Sequence, residues 1–368
     1  MHRIREIIFL GDRDNRDPLC RFYFDTLASQ LSLRGETYAW ISPKSNLNAF
    51  LDLNEQYVIN FFYKDLDAID AIKRLNSQKI SPICFCSDIE DYLDYQLAYE
   101  IAKAFVCPSL MHRKLLQYVY ELPIYVLREA VDPILKQVVV KKFSDSSANL
   151  VWFGFSESYQ RSMVNLEPVI IEALQMKWIN SFTVISSQSI RESLPIEFNF
   201  IEYRVDEFEE QIQAFNYAIF SHAPLDLHLN TLIKSPNKAI SAIVSGLIPI
   251  CSDTPNYHLL MNELHLGSYL FHSPSDLKKI FQDLSLHTIQ DSIDSKWRHA
   301  NGIVQSQYSA ESQYDEYCKI LDKISAQGDE LKNRSPEEVR LYVPLSTDIK
   351  LRFYLRQQIK KLKCKFGF

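Results

Sequence analysis

Short apolar runs alternate with helical segments along most of this 368-residue chain. The first run, residues 7–10, ends at Gly11 and a polar loop, and a helical pattern follows through Leu31. A strand, a glycine turn and a helix in this order form one unit of a Rossmann-like domain. Because parallel strands need crossover helices on both faces, repetition of this unit predicts an α/β protein with buried parallel sheets.

The alternation continues in two series. The first series predicts strands at residues 37–41, 57–62, 82–86, 104–107 and 124–127. The second predicts strands at residues 150–153, 182–186, 199–203, 217–220 and 248–251. A polar, serine-rich stretch separates the two series, as an interdomain connection does. We therefore expect an N-terminal domain over 1–140, a C-terminal domain over 141–330, and a polar linker with a final helix over 331–368.

The most informative stretch covers residues 235–261 and reads as a helix, a tight turn and a strand. Apolar residues recur at helical spacing up to Leu247, Gly246 interrupts them, and residues 248–251 then form a buried run. Ser235 is expected to be the N-cap, with Pro236 at the first helical position. Lys238 then lies at a positive helix end, which predicts an anion site.

Residues 245–253, SGLIPICSD, resemble the "CGLPVIASD"-like turn and strand of retaining glycosyltransferases with the GT-B architecture. The two glutamates usual in that family are replaced here by Ile233 and Ser241. Residues 102–133 look like the end of the family's N-terminal domain, where "PS" starts a helix and an "NGVDP"-like exit follows. Here the exit is REAVDP, residues 128–133. The resemblance implies two Rossmann-like domains that face a central cleft.

The same resemblance implies a nucleotide-sugar site in the C-terminal domain. A glycine after the first strand of that domain, here Gly154, usually precedes basic residues that bind the donor diphosphate. Phe155 and Gln160 stand at the usual basic positions, and Arg161 is adjacent. His222 follows a buried strand on the same side of the cleft. The residues expected to bind the donor are Ser235, Asn237, Lys238, Ser241, Arg161 and His222.

The acceptor is expected on the N-terminal side of the cleft. Gly11 and Arg13 are the candidates for binding it, and Asp12 and Asp88 are the candidates for catalysis, because each follows a predicted strand. An N-domain carboxylate acts as general base in inverting GT-B enzymes, whereas in retaining ones such groups position the acceptor. A solvated acidic loop is the alternative interpretation of the segment that holds Asp12.

The sequence predicts no metal site and no cofactor beyond the donor substrate. No HxH or HExxH motif occurs, and the seven cysteines include no CxxC pair. Scattered cysteines indicate a reducing cytoplasm, and the first apolar run is too short for a signal peptide or a membrane span. The acidic body argues against nucleic acid as the partner.

Charge is distributed unevenly. The net charge is −6, but residues 348–368 hold seven basic residues against one acid. Their apolar positions repeat at helical spacing, which predicts a basic amphipathic helix. We expect it to attach the protein to the inner face of an anionic membrane, and packing across the two domains is the alternative.

These observations predict a cytoplasmic, metal-independent glycosyltransferase. It would move a sugar from a nucleoside-diphosphate sugar to a glycan or lipid-linked acceptor, in surface polysaccharide or glycoconjugate synthesis. The missing family glutamates leave an alternative open, a catalytically inactive GT-B-like binding or partner subunit.

Overall fold

The computed structural model describes residues 6–12, 19–45, 47–51, 56–75, 80–87, 95–135, 148–222, 229–286 and 290–326. Within these residues the chain forms two six-stranded sheets. All strand pairs in both sheets are parallel. The prediction of an α/β protein with two parallel sheets is confirmed.

The first sheet has the order β2-β1-β3-β4-β5-β6. Its strands are β1 (Glu6–Leu10), β2 (Tyr38–Ile41), β3 (Tyr57–Phe62), β4 (Ile80–Phe85), β5 (Ala104–Cys107) and β6 (Ile124–Val126). The central strands are contiguous apolar runs because helices cover both faces of a parallel sheet. Its helices are a π-helical segment (Cys20–Asp25), α1 (Thr26–Leu33), α2 (Leu66–Lys73), α3 (Gln96–Tyr99) and α4 (Leu110–Gln117).

The second sheet has the order β12-β11-β10-β7-β8-β9. Its strands are β7 (Asn149–Phe153), β8 (Ser181–Ser186), β9 (Asn199–Glu202), β10 (Tyr217–Phe220), β11 (Ile248–Ser252) and β12 (Leu270–Phe271). Counted from β7, this is the doubly wound order 3-2-1-4-5-6. Strand order reverses between β7 and β10, and ligands bind at such a point, outside the carboxyl ends of the strands.

Nine helices follow β7 along the described chain. They are α5 (Ser156–Ser162), α6 (Glu167–Gln175), α7 (Phe208–Gln213), α8 (Leu229–Ile233), α9 (Asn237–Val244), α10 (Pro255–Glu263), α11 (Pro274–Ser285), α12 (Gln290–Gln307) and α13 (Ala310–Ala326). Helix α9 begins at Asn237, and Pro236 precedes it without a side-chain capping bond. The expectation that Ser235 caps this helix is therefore wrong by one residue. The Trp297 indole donates to the Ile243 carbonyl at 3.0 Å and fixes the end of α9.

The last two helices are separated by a short break. Helix α12 ends at Gln307 and α13 begins at Ala310. The break lets α13 return to the first domain, where Tyr317 is fully buried and donates to Asn60 at 2.9 Å. Asn60 in turn donates to the Ile8 carbonyl at 3.2 Å. Helix α13 is thus bonded to the central strands of the first sheet.

Helix α8 also joins the two domains. Ile233, at its end, is fully buried and belongs to the hydrophobic core of the first domain. Asn256, on α10, donates to Ser109 of the first domain at 3.2 Å and to the Lys234 carbonyl at 3.1 Å. Ser109 is the N-cap of α4, since its hydroxyl accepts from the His112 amide. The chain just before the predicted donor site is therefore anchored in the first domain.

The expected basic helix within 348–368 lies outside the described residues and stays a prediction, as do the exact domain limits. No described helix is long and apolar enough to cross a membrane.

Replacing Ile233 by alanine should destabilise the protein by about 2–5 kcal/mol, because it leaves a cavity in the interdomain core. The change is measured by urea unfolding. Ile196→Ala is the matched control, since Ile196 is 97% exposed and its loss should cost less than about 0.5 kcal/mol. Equal stability of both variants would contradict the packing described for Ile233.

Candidate functional site

A cavity of about 650 Å³ lies between the two domains. Its second-domain wall is built at the carboxyl ends of β7 and β10, which is the point where strand order reverses. Its first-domain wall includes Arg21, Ser87, Glu129 and Asp132. The two sheets therefore face one another across this cavity, as a two-domain cleft requires.

All six residues predicted to bind the donor line this one cavity. They are Ser235, Asn237, Lys238, Ser241, Arg161 and His222. They come from three places in the sequence: the helix after β7, the end of β10, and the start of α9. The structure brings them together, and their roles in binding stay predictions.

Lys238 is part of the second-domain wall of the cavity. Its ammonium group lies 4.9 Å from the centre of the Trp152 ring. This is a cation–π contact, which partly compensates for the water lost from the ammonium. Burial, together with the nearby charge of Lys234, lowers the pKa of Lys238 to about 7. No carboxylate among the described residues forms an ion pair with it, so a bound anion would relieve an unfavourable burial of charge.

Gly154 makes room for this lysine. Its φ is +155°, and a Cβ at this position would clash with the Lys238 ammonium and lie 3.1 Å from the Trp152 ring. Neighbouring strand β8 fixes the backbone there, because the Gly154 amide donates to the Ile185 carbonyl at 3.2 Å and the Ser186 hydroxyl donates to the Gly154 carbonyl at 2.8 Å. A glycine is therefore required where the backbone passes the ammonium.

His222 adds a neutral polar group to the wall. Burial, followed by the positive charges of Lys234 and Lys238, lowers the pKa of His222 to about 3. The imidazole is therefore uncharged at pH 7. Its amide donates to Ser252 at 3.0 Å, and its ring packs 5.0 Å from that of Tyr257. Its buried Nε2 has no hydrogen-bond partner among the described residues.

Arg161 and Ser241 lie at the two extremes of exposure. Arg161 is on α5 and is exposed at the mouth of the cavity, whereas Ser241 is on α9 and only 6% exposed. With Lys234 and Lys238, Arg161 makes this wall positive. Lys234 was missed by the sequence analysis, although its position next to Ser235 is the signal that could have found it.

The position of Ile233 explains one departure from the glycosyltransferase pattern. Its side chain packs in the first-domain core and does not line the cavity. This position therefore contributes to domain packing, whereas the other glutamate position, Ser241, does line the cavity.

The predicted acceptor residues are less well placed. Gly11 and Asp12 do not line the cavity. Asp12 accepts from Ser42 at 2.7 Å and lies 3.5 Å from the Lys44 ammonium. Its hydrogen bond with Ser42 is the main cause of its lowered pKa. Arg13 and Asp88 lie outside the described residues. The roles given to these four residues stay predictions.

The first-domain wall contains groups that the sequence analysis missed. Arg21 and Asp132 form a buried two-bond ion pair, with distances of 3.1 and 2.9 Å. Glu129 is 5% exposed, and Ser87 is 8% exposed. Ser87 follows β4 directly after Cys86, so the rule that ligands bind at carboxyl ends of strands could have identified it.

The described residues contain no group of three histidine, cysteine or acidic side chains that could hold a metal ion.

The sequence matches no protein-family model and no curated protein sequence. The fold, however, is similar to that of several solved structures. One is a glycosyltransferase from Rickettsia africae ESF-5, with 12% identity, a TM-score of 0.63, and coverage of 89% of this chain and 100% of that chain. Another is an alpha-glucosyltransferase in complex with UDP and a 13-mer DNA, with 12% identity, a TM-score of 0.61, and coverage of 86% and 99%.

A third is the pneumococcal O-GlcNAc transferase GtfA in complex with UDP and GlcNAc. Its sequence is 12% identical and the TM-score is 0.53. The match covers 76% of this chain and 60% of the length of that chain. At sequence identities this low, the structural similarity establishes only the fold. The chain has the GT-B fold that its sequence predicts.

Substitution of Gly154 by alanine should destabilise the protein by about 1–3 kcal/mol. The added methyl group meets the Trp152 ring, pushes the ammonium of Lys238 away from it, and requires a backbone φ that alanine rarely adopts. Urea unfolding measures this change in the free energy of unfolding. Gly302→Ala, in α12 with open space around it, serves as the control and should gain roughly 0.4–1 kcal/mol. An unchanged stability of the Gly154 variant would refute the close approach.

Proposed function

We propose that this protein is a glycosyltransferase that moves a sugar from a nucleoside-diphosphate sugar to a glycan or lipid-linked acceptor. The observation that carries the proposal is Lys238, a lysine without an acidic partner among the described residues, whose ammonium lies in the wall of an interdomain cavity. A diphosphate supplies the negative charge that this wall lacks. The GT-B fold, shared with proteins solved in complex with UDP, supports the same assignment.

The start of α9 provides the second part of the diphosphate site. The first backbone amides of a helix have no partner within the helix and point toward its N-terminal end. In α9 these amides include those of Asn237 and Lys238, next to the cavity. Lys234 and Arg161 add positive charge on the same wall. Together these groups would hold the donor by its two phosphates.

The same charges would assist the reaction. When the sugar is transferred, the bond between its anomeric carbon and the diphosphate oxygen breaks, and a bond to the acceptor oxygen forms. The nucleoside diphosphate leaves with the electron pair of the broken bond, and the acceptor hydroxyl passes its proton to an oxygen of that diphosphate. Positive groups that face the leaving diphosphate stabilise the charge that develops on it. The neutral imidazole of His222 would bond a sugar hydroxyl nearby.

We propose that this charge stabilisation makes the transfer independent of a metal ion, since Lys238, Lys234 and Arg161 face the place where the leaving group would lie. The protein is proposed to act in the cytoplasm. Attachment of residues 348–368 to a membrane remains a separate prediction.

Calorimetric titration with UDP, GDP, dTDP and CMP tests the donor site. We expect one nucleotide to bind, and Lys238→Met to weaken its binding roughly tenfold or more, since a charge-assisted hydrogen bond contributes about 1.5–3 kcal/mol. Lys279→Met, on the exposed face of α11, is the control and should leave the affinity unchanged.

Turnover completes the test. With the matching nucleotide sugar, the protein should release free nucleoside diphosphate when an acceptor is present. If no nucleotide binds, or if Lys238→Met binds as well as the unaltered protein, the assignment of the donor site is wrong. Binding without any turnover would support the inactive binding subunit instead.

A further inference from the structure

Glu202 places a carboxylate in the second-domain wall of the cavity, and the proposed donor site does not yet use it. Three acidic residues of the described chain line this cavity. Two of them, Glu129 and Asp132, belong to the first domain and are 5% exposed. Glu202 is exposed and ends β9, in the domain that is proposed to hold the donor. A ligand in the cavity can therefore reach this carboxylate.

Strand register places Glu202 in one row with Gly154. Ser186, the last residue of β8, is paired with Glu202. On its other side the Ser186 hydroxyl donates to the Gly154 carbonyl at 2.8 Å. Residues in one row of a sheet point to the same face, and a Cβ on Gly154 would point at the Lys238 ammonium. Glu202 thus leaves the sheet on the side of the ammonium, two strand spacings or about 10 Å from Gly154.

The order of the strands matches the order of the parts of a nucleotide sugar. Strands β10, β7, β8 and β9 are consecutive neighbours. His222, which is proposed to contact the sugar, follows β10, whereas the Lys238 ammonium lies at the end of β7 and Glu202 ends β9. With the diphosphate on Lys238 and the sugar toward β10, the nucleoside extends over β8 toward β9. The cavity is open along this path, since the exposed residues Ser187 and Gln188 also line it.

A carboxylate matches one part of a nucleoside better than the other. An ionised carboxylate only accepts hydrogen bonds. Ribose presents two neighbouring hydroxyls, at 2′ and 3′, and both can donate to the two carboxylate oxygens. Each common base instead presents carbonyl oxygens or ring nitrogens beside its N–H groups, and a carboxylate repels these atoms. Ribose, which is attached directly to the diphosphate, is therefore the part that suits Glu202.

The surroundings of Glu202 leave its carboxylate accessible. Its main-chain carbonyl accepts from Gln211 at 2.9 Å, which holds the backbone at the end of β9. Arg204, the nearest basic residue in the sequence, donates to Glu207 at 2.8 Å and interacts with Glu202 through its charge. Among the described residues, no hydrogen bond or ion pair occupies the Glu202 carboxylate oxygens.

We propose that Glu202 binds the 2′- and 3′-hydroxyls of the donor ribose, so that the protein uses a ribonucleoside-diphosphate sugar and discriminates against 2′-deoxyribonucleoside donors. This inference rests on the proposed function. It narrows the class of donor, because sugars carried on dTDP lack the 2′-hydroxyl. Glu202 is a binding residue that takes no part in the exchange of bonds, and its role holds for either stereochemical outcome of the transfer.

Pairs of nucleotides that differ in one hydroxyl test the inference. UDP is compared with 2′-deoxy-UDP, and GDP with 2′-deoxy-GDP, by calorimetric titration. Whichever base the protein accepts, we expect the ribose form to bind about tenfold more tightly or better, because the deoxy form loses a hydrogen bond to a charged group. Inorganic pyrophosphate, titrated in parallel, measures the diphosphate site alone.

Variants then assign the preference to a residue. Glu202→Gln keeps the size of the side chain and removes its charge, so the preference for ribose should fall to about threefold or less. Pyrophosphate should bind this variant at least as tightly as the unaltered protein, since a nearby negative charge is removed. Glu210→Gln is the control for the same chemical change. Glu210 is exposed on α7 and does not line the cavity, so the full preference should remain.

The outcomes separate this inference from the donor assignment. Equal binding of the ribose and deoxy forms, or an undiminished preference in Glu202→Gln, would overturn the ribose contact and leave the diphosphate site in place. If Lys238→Met left pyrophosphate binding unchanged while Glu202→Gln abolished the preference, Lys238 would be rejected as the diphosphate ligand and the ribose contact retained. If neither pyrophosphate nor any of the four nucleotides binds, both assignments are wrong.

Discussion

The charge of Lys238 is the constraint around which the site is built. Burial disfavours the ammonium, and the neighbouring Lys234 disfavours it further, so its pKa falls to about 7. The Trp152 ring gives partial compensation, and Gly154 leaves the space that the contact needs. The folded protein thus holds a positive charge in a place that favours the binding of an anion. A diphosphate at this place would restore the charged lysine.

The chain just before that lysine connects binding to domain packing. Ile233 is buried in the first-domain core, and the next residue, Lys234, lines the cavity between the two domains. The chain that leads into the predicted donor wall is therefore packed against the first domain. A two-domain site of this kind positions two substrates before either reacts.

The sequence was sufficient to predict the layout of the two sheets. Parallel strands buried on both faces are contiguous apolar runs, so their positions could be predicted closely. The helix, turn and strand at 235–251 also contain four of the six residues that were predicted to bind the donor and that line the cavity. Side-chain directions were harder to predict. Asp12 follows β1 as expected, but its carboxylate bonds Ser42, a neighbour brought close only by strand pairing. Ile233 was interpreted as a missing carboxylate because its burial depends on the other domain.

The central claim is that Lys238 is the diphosphate ligand of a nucleotide-binding site, and its own titration tests this most directly. The ammonium can be followed by NMR and assigned by its absence in Lys238→Met. Because an anion stabilises the protonated form, UDP should raise the pKa from about 7, and UDP affinity should fall as the pH rises above that value. A pKa near the ordinary lysine value of 10.5, unchanged by UDP, would contradict the account.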